Sequence, residues 1–126
     1  MKKINQFIDG KEYISKSERV CDVFNPAKGE KIGETSLANS DDINLVIQSA
    51  MSAKQKWAST PPLTRSRILF KFKELIIRDL DKLAAALTEE HGKILSDSAG
   101  SVTRGMEVVE FACGIPHLLK GEFSQN

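Results

Sequence analysis

Cys113 and His117 stand four residues apart, a spacing that puts two side chains on one face of a helix. A thiol beside an imidazole can be held as a reactive thiolate. Against that chemistry, Cys113 falls on an apolar helical stripe and Pro116 disturbs the spacing. Free cysteine is also among the most buried residue types, so a packing cysteine is the favoured reading. Cys21 lies among strand-forming residues with no base near it in sequence. Of the carboxylates, Glu89 and Glu90 are adjacent and do not face one another on a helix. Glu107 and Glu110 do share a face, but acid–base work requires burial to tune one carboxyl away from its neighbour. Nothing around them signals burial, so they read as a solvated face. His91, next to Gly92, reads as a helix-end histidine favoured by the dipole. No cluster of His, Cys, Asp or Glu has metal-ligand spacing. Gly100 and Gly105 precede no Gly-Lys-Ser/Thr and no GxGxxG occurs, so no nucleotide loop is recognisable.

One side chain points to binding. Arg104 lies between Thr103 and Gly105 in an otherwise apolar helical stretch, and a guanidinium is a planar fork suited to a carboxylate. Gly105 inside a helix costs about 1 kcal/mol relative to alanine, which suggests close approach of another backbone. The competing reading of Arg104 is a surface or ion-paired arginine, with Glu107 or Glu110 on neighbouring turns.

The elements that must position these residues follow from periodicity. Phe7-Ile8 and Tyr13-Ile14 flank Asp9-Gly10, a strong hairpin-turn signal. Val20 to Phe24 reads as a strand that Asn25-Pro26 stops. Lys31 to Thr35 is a further short strand. After Asn39 the period changes to about 3.6 residues. Ser40 is the expected N-cap, with Asp41-Asp42 at the positive end of the helix dipole. Ile43, Val46, Ile47, Ala50, Met51, Lys54 and Trp57 then form one stripe. Pro61-Pro62 open a second helix, with Ile68, Leu69, Phe72, Leu75 and Ile76 on one face. A bend near Asp79 leads to Leu80, Leu83, Ala84 and Leu87, and Gly92 takes the place of a C-cap glycine. A last helix covers about Ser96 to Leu119, with Val102, Met106, Val109 and Cys113 on one face and a kink or early end at Pro116.

Composition bounds the class. A chain of 126 residues with 40% hydrophobic and 28% charged residues can build the core of one soluble domain. Its net charge of +1 gives no electrostatic reason to expect a nucleic-acid or membrane partner. Apolar runs are only a few residues long, against the ~20 a membrane span needs, and no signal peptide follows Met1-Lys2-Lys3. Two distant cysteines form neither a disulfide framework nor a zinc pattern. Reduced thiols in the cytoplasm, or in the mitochondrial matrix after loss of a presequence, are expected.

Phe7-Ile8-Asp9-Gly10-Lys11, then Asn25-Pro26-Ala27, then Gly33-Glu34 together resemble the opening hairpin and strand of aldehyde dehydrogenases. Ala53 to Trp57 with Pro62-Leu63-Thr64-Arg65 is similar to that superfamily's helix–Trp–Arg passage. Glu90-His91-Gly92-Lys93 is similar to its Glu-x-Gly-Lys turn. The resemblance covers essentially the whole chain, in order. Gly100 to Gly114 looks most like the CoA-acylating methylmalonate-semialdehyde dehydrogenase branch, in which the arginine of Arg-Gly-x-Glu is associated with the substrate carboxylate. The resemblance therefore implies that role for Arg104. It implies an α/β parent fold, of which this segment would supply a β-hairpin and short strands followed by about four amphipathic helices. Residues 1–126 would be the N-terminal part of the dinucleotide-binding domain, β-rich over 1–38 and helical over 39–120. The implied reaction, in valine catabolism, uses NAD and CoA on malonate or methylmalonate semialdehyde. A cysteine attacks the aldehyde, hydride passes to NAD, and CoA takes the acyl group with loss of CO2. The implied assembly is a homo-tetramer.

That catalytic cysteine, the nucleotide-binding strands, the oxyanion-hole asparagine and the glutamate of related enzymes would all follow Asn126. The segment alone is thus expected to lack a catalytic domain, to bind neither NAD nor CoA and to be inactive, with the remainder of the dehydrogenase chain as its partner. The alternative is a non-catalytic helical module, a decoy subunit derived from the family. Either way its bare apolar faces predict self-association.

Overall fold

A computed structural model describes residues 2–122. The chain forms two compact units, Met1–Ser59 with Glu89–Gly92, and Thr60–Thr88 with Lys93–Asn126.

The first unit begins with β1 (Lys2–Ile4), β2 (Gln6–Ile8) and β3 (Lys11–Tyr13). β2 and β3 pair antiparallel, with Phe7 opposite Glu12 and Ile8 opposite Lys11. The two turn residues, Asp9 and Gly10, have φ of 54° and 74°. Positive φ at both centres is what a tight hairpin turn with the native strand twist requires, and Asp-Gly tolerates it. Ile14 lies outside β3 and is exposed. β4 (Val20–Asn25) pairs antiparallel with β5 (Glu30–Ser36), with a bulge after Val23. The turn between them is closed by Asn25. Its carbonyl accepts from the amides of Lys28 and Gly29, and its side-chain Oδ1 accepts from the amide of Ala27 at 3.1 Å. β1 adds to the other side of β5 in parallel, giving the order β1-β5-β4. Composition gave no sign of β1: three residues starting Lys-Lys have too little pattern to reveal a pairing with residues 33–35.

Helix α1 runs Ser40–Ser59. The expected N-cap at Ser40 is corrected to Asn39. Asn39 Oδ1 accepts from the Asp42 amide at 2.9 Å, and Asp42 Oδ2 accepts from the Asn39 amide at 2.9 Å, a reciprocal capping box. Asp42 is 1% exposed, and its carboxylate also accepts from Tyr13 Oη at 2.9 Å and Ser15 Oγ at 2.6 Å. The Ser15 hydroxyl, then the Asn39 amide, and then Tyr13 hold its carboxyl below the ordinary range, against the opposing effect of burial. The α1 stripe is helical as its period predicts, yet Ile43, Ile47 and Met51 stand exposed.

The second unit holds α2 (Pro62–Arg78) and α4 (Leu95–Cys113), running antiparallel, and the short α5 (Ile115–Leu118). α3 (Leu80–His91) gives its last turn to the first unit. Pro62 supplies the first position of α2, where its missing N–H costs nothing. α2 stops at Arg78, with Asp79 as C-cap, as the expected bend implies. Ser66 Oγ donates to the Cys113 carbonyl at 2.5 Å, and Lys73 Nζ pairs with Glu110 Oε1 at 2.8 Å. On α4, Val102, Met106 and Val109 are half-buried and Cys113 is buried, so the expected face is the packed one. The expected α2 face is divided instead: Leu69 and Ile76 are half-buried, whereas Ile68, Phe72 and Leu75 are exposed. With Thr64, Arg67 and Lys71 those three line an open concavity of about 430 Å³. The last helical span breaks at Gly114, so Pro116 falls in the first turn of α5. Buried hydrophobic side chains are limited to Ala84 and Cys113 among the described residues.

Candidate functional site

Gly92 ends α3 with φ of 81°. It packs so close to the β4–β5 turn that a Cβ there would meet Pro26 Cγ at 2.8 Å and the Ala27 amide nitrogen at 3.1 Å. Two stretches far apart in sequence, Asn25-Pro26-Ala27 and His91-Gly92, therefore touch backbone to ring, and only glycine supplies both the left-handed conformation and the space.

Lys93 and Ile94 lead into α4, where Ser101 and Arg104 share a face by their spacing of three. Arg104 is exposed, and its Nη2 donates to Ser101 Oγ at 2.9 Å. Lys93 Nζ donates to the same oxygen at 2.5 Å and pairs with Asp97 Oδ2 at 3.2 Å. The Lys93 side chain is only 18% exposed. Ser101 thus accepts from two cations, which occupies both hydroxyl lone pairs and turns its own hydrogen away from them. Lys93, Arg104 and Asp97 together leave one excess positive charge at this spot. A guanidinium bound through one nitrogen keeps the rest of its fork for an anion. Neither Glu107 nor Glu110 pairs with Arg104 among the described residues, and Glu110 is held by Lys73. At Gly105 a Cβ would meet nothing within 4 Å, so no backbone of this segment makes the suggested close approach.

Cys113 is buried, and α4 ends with it, so His117, exposed in α5, no longer follows on the same helix. Glu107 and Glu110 are exposed, as a solvated face should be. No group of three His, Cys, Asp or Glu residues could hold a metal among the described residues. Among the described residues no helix is long and apolar enough to cross a membrane. A cleft of about 560 Å³ beside the hairpin is lined by Asp9, Tyr13, Ser49, Ser52 and Lys56, among others. Sequence reasoning missed Lys93 and Ser101. The available signal was the Lys93–Asp97 spacing of four, which brings Lys93 alongside the first turns of α4.

Comparison with known proteins gives these residues a context. The malonate-semialdehyde dehydrogenase of Pseudomonas aeruginosa is 40% identical over 123 residues, which is 98% of this chain and 24% of that protein. The human mitochondrial acylating methylmalonate-semialdehyde/malonate-semialdehyde dehydrogenase is 39% identical over 119 residues, 94% of this chain and 22% of its own length. A crystal structure from Sinorhizobium meliloti, assigned as a methylmalonate-semialdehyde dehydrogenase and solved with NAD, superposes with a TM-score of 0.95 at 44% identity. It covers 99% of this chain and 26% of that one. The chain thus spans about a quarter of the length of these relatives, and its short strands followed by helices match the N-terminal segment of their α/β fold. The sequence profile of the aldehyde dehydrogenase family matches residues 13–126, and the chain belongs to that family.

Proposed function

We propose that this chain is the N-terminal segment of an NAD-dependent, CoA-acylating dehydrogenase of malonate or methylmalonate semialdehyde, forming acetyl-CoA or propionyl-CoA. The observation that carries the reading is 40% identity along nearly the whole chain to a malonate-semialdehyde dehydrogenase. Arg104 binds the substrate carboxylate in this reading. Its exposed guanidinium, tied through one nitrogen to Ser101 and unpaired with any carboxylate among the described residues, supports the assignment. The aldehyde end of the substrate is left to residues outside the segment. Residues 1–126 form the N-terminal part of the dinucleotide-binding domain. In this reading NAD and CoA are bound by the remainder of the enzyme. In this reading that remainder also covers the exposed apolar side chains of α1 and α2, among them Ile43, Met51, Ile68 and Phe72. The enzyme works as a homo-tetramer in the cytoplasm or the mitochondrial matrix.

The test is direct. The purified dehydrogenase that carries this segment is given malonate semialdehyde, methylmalonate semialdehyde or propanal, with NAD and with or without CoA. NADH is followed by absorbance and acyl-CoA by mass spectrometry. Acyl-CoA formation strongly favouring the carboxylated aldehydes is expected. A free acid formed equally well without CoA, or a preference for propanal, would remove the reading.

A further inference from the structure

We propose that Lys93 and Ser101 complete the anion site of Arg104, so that substrate carboxylate is held by a two-cation cluster organised around one hydroxyl. The proposal rests on the reading of Arg104 as the carboxylate-binding residue and names what makes that residue effective.

Three observations carry it. Ser101 Oγ lies 2.5 Å from Lys93 Nζ and 2.9 Å from Arg104 Nη2, so one atom fixes two cations side by side. Like charges held this close repel, and an arrangement that repels in the empty protein gains most when an anion enters. Lys93 is mostly buried while its partner Asp97 is 56% exposed. Asp97 therefore neutralises Lys93 from the solvent side only, and the cluster keeps a net positive charge. The Ser101 hydrogen, turned away from both donors, has no acceptor among the described residues and is free to bond a carboxylate oxygen.

In this arrangement Ser101 and Lys93 are positioning residues for Arg104. A flexible arginine side chain gives up rotamer freedom when it binds, and the Ser101 bond removes part of that cost in advance. Losing a hydrogen bond to a charged group lowers affinity roughly ten- to a hundredfold.

The experiment uses the complete dehydrogenase carrying this segment, with steady-state kinetics on malonate semialdehyde, propanal and CoA. Ser101→Ala and Lys93→Met should each raise KM for malonate semialdehyde about tenfold, while kcat/KM for propanal stays within about twofold. Ser101→Thr and Lys93→Arg, which keep the hydroxyl and the charge, should recover most of the loss. Ser101→Ala combined with Arg104→Ala should be little worse than Arg104→Ala alone, since residues acting through one group are not additive. If Arg104→Ala is selective against the carboxylated substrate but Ser101→Ala and Lys93→Met are not, Arg104 works alone and the inference fails while the proposed function stands. Should Arg104→Ala also show no selectivity, both fall. Equal losses on propanal would make Ser101 and Lys93 structural and overturn the inference. A raised KM for CoA with an unchanged KM for semialdehyde would assign the cluster to a phosphate, with the same consequence. Lys93→Met lies outside the helices and serves where Ser101→Ala fails to fold.

Discussion

Replacing Gly92 with alanine should be far more damaging than the same change at Gly10, although both glycines have positive φ. The two angles are similar, 81° and 74°, so the left-handed penalty of about 1–2 kcal/mol for an L side chain is common to both. They differ in what a Cβ would touch. At Gly10 nothing lies within 4 Å, whereas at Gly92 the new carbon would sit 2.8 Å from Pro26 Cγ and 3.1 Å from the Ala27 amide nitrogen. Pro26 is a rigid ring, and Ala27 is tied by its amide to Asn25 Oδ1, so neither can yield cheaply. Overpacking of this sort costs typically about 1–3 kcal/mol. Gly10→Ala should therefore cost about 1–2 kcal/mol and Gly92→Ala about 2–5 kcal/mol. Urea unfolding of the purified protein reads the totals. Amide exchange of Lys28 and Gly29, both bonded to the Asn25 carbonyl, reads the turn itself. Their exchange should accelerate by roughly ten- to a hundredfold more in Gly92→Ala than in Gly10→Ala. Equal destabilisation by the two variants, or an unchanged turn in Gly92→Ala, would refute the close packing of the α3 end on the β4–β5 turn.

Other consequences are as specific. Asn39→Ala should cost about 1 kcal/mol through loss of the α1 cap, while Ser40→Ala should stay within about 0.5 kcal/mol; the reverse order in urea midpoints would return the cap to Ser40. The Ser15, Asn39 and Tyr13 donors hold the folded-state carboxyl of Asp42 below the ordinary carboxylate range, so it stabilises the folded form above the ordinary carboxylate pKa. That contribution is lost as pH falls through the depressed value. Asp42→Asn should flatten the acid side of the Tm–pH curve, and an unaltered slope would mean that Tyr13, Ser15 and Asn39 do not favour the charged form. Of the two thiols in this segment, exposed Cys21 should react with a maleimide well before buried Cys113, as peptide mapping after timed labelling would show; equal rates would contradict the packing of Cys113 on α2.

What the sequence revealed, and what it hid, follows the range of the interactions concerned. The β2–β3 hairpin was legible because Asp9-Gly10 encodes its turn locally. The helices were legible from their period, and the break at Asp79 and the C-cap at Gly92 lay where local signals put them. The start of α1 was misplaced by one residue because Asn39 and Ser40 are both good caps. The choice between them is made by Asp42, which is oriented from a distance by Tyr13 and Ser15. β1 escaped notice because its pairing with β5 is nonlocal. On α2, hydrophobicity could not tell which of Leu69 and Phe72 faces α4, since Ser66 and Lys73 supply polar contacts on the packed side. Arg104 stood out as a guanidinium in an apolar helix, but its companion Lys93 lies outside that helix, where the helical period gives no hint of its bond to Ser101.

The measurement that bears most directly on the central claim is the ratio of kcat/KM for malonate semialdehyde over propanal, in the complete dehydrogenase and in its Arg104→Ala variant. If Arg104 grips the substrate carboxylate, the ratio should fall by roughly a hundredfold or more, as expected when a charge-assisted hydrogen-bonded pair is lost, with propanal turnover nearly unchanged. A ratio that stays constant, with both substrates losing equally or neither losing at all, would contradict the account and leave Arg104 a structural arginine.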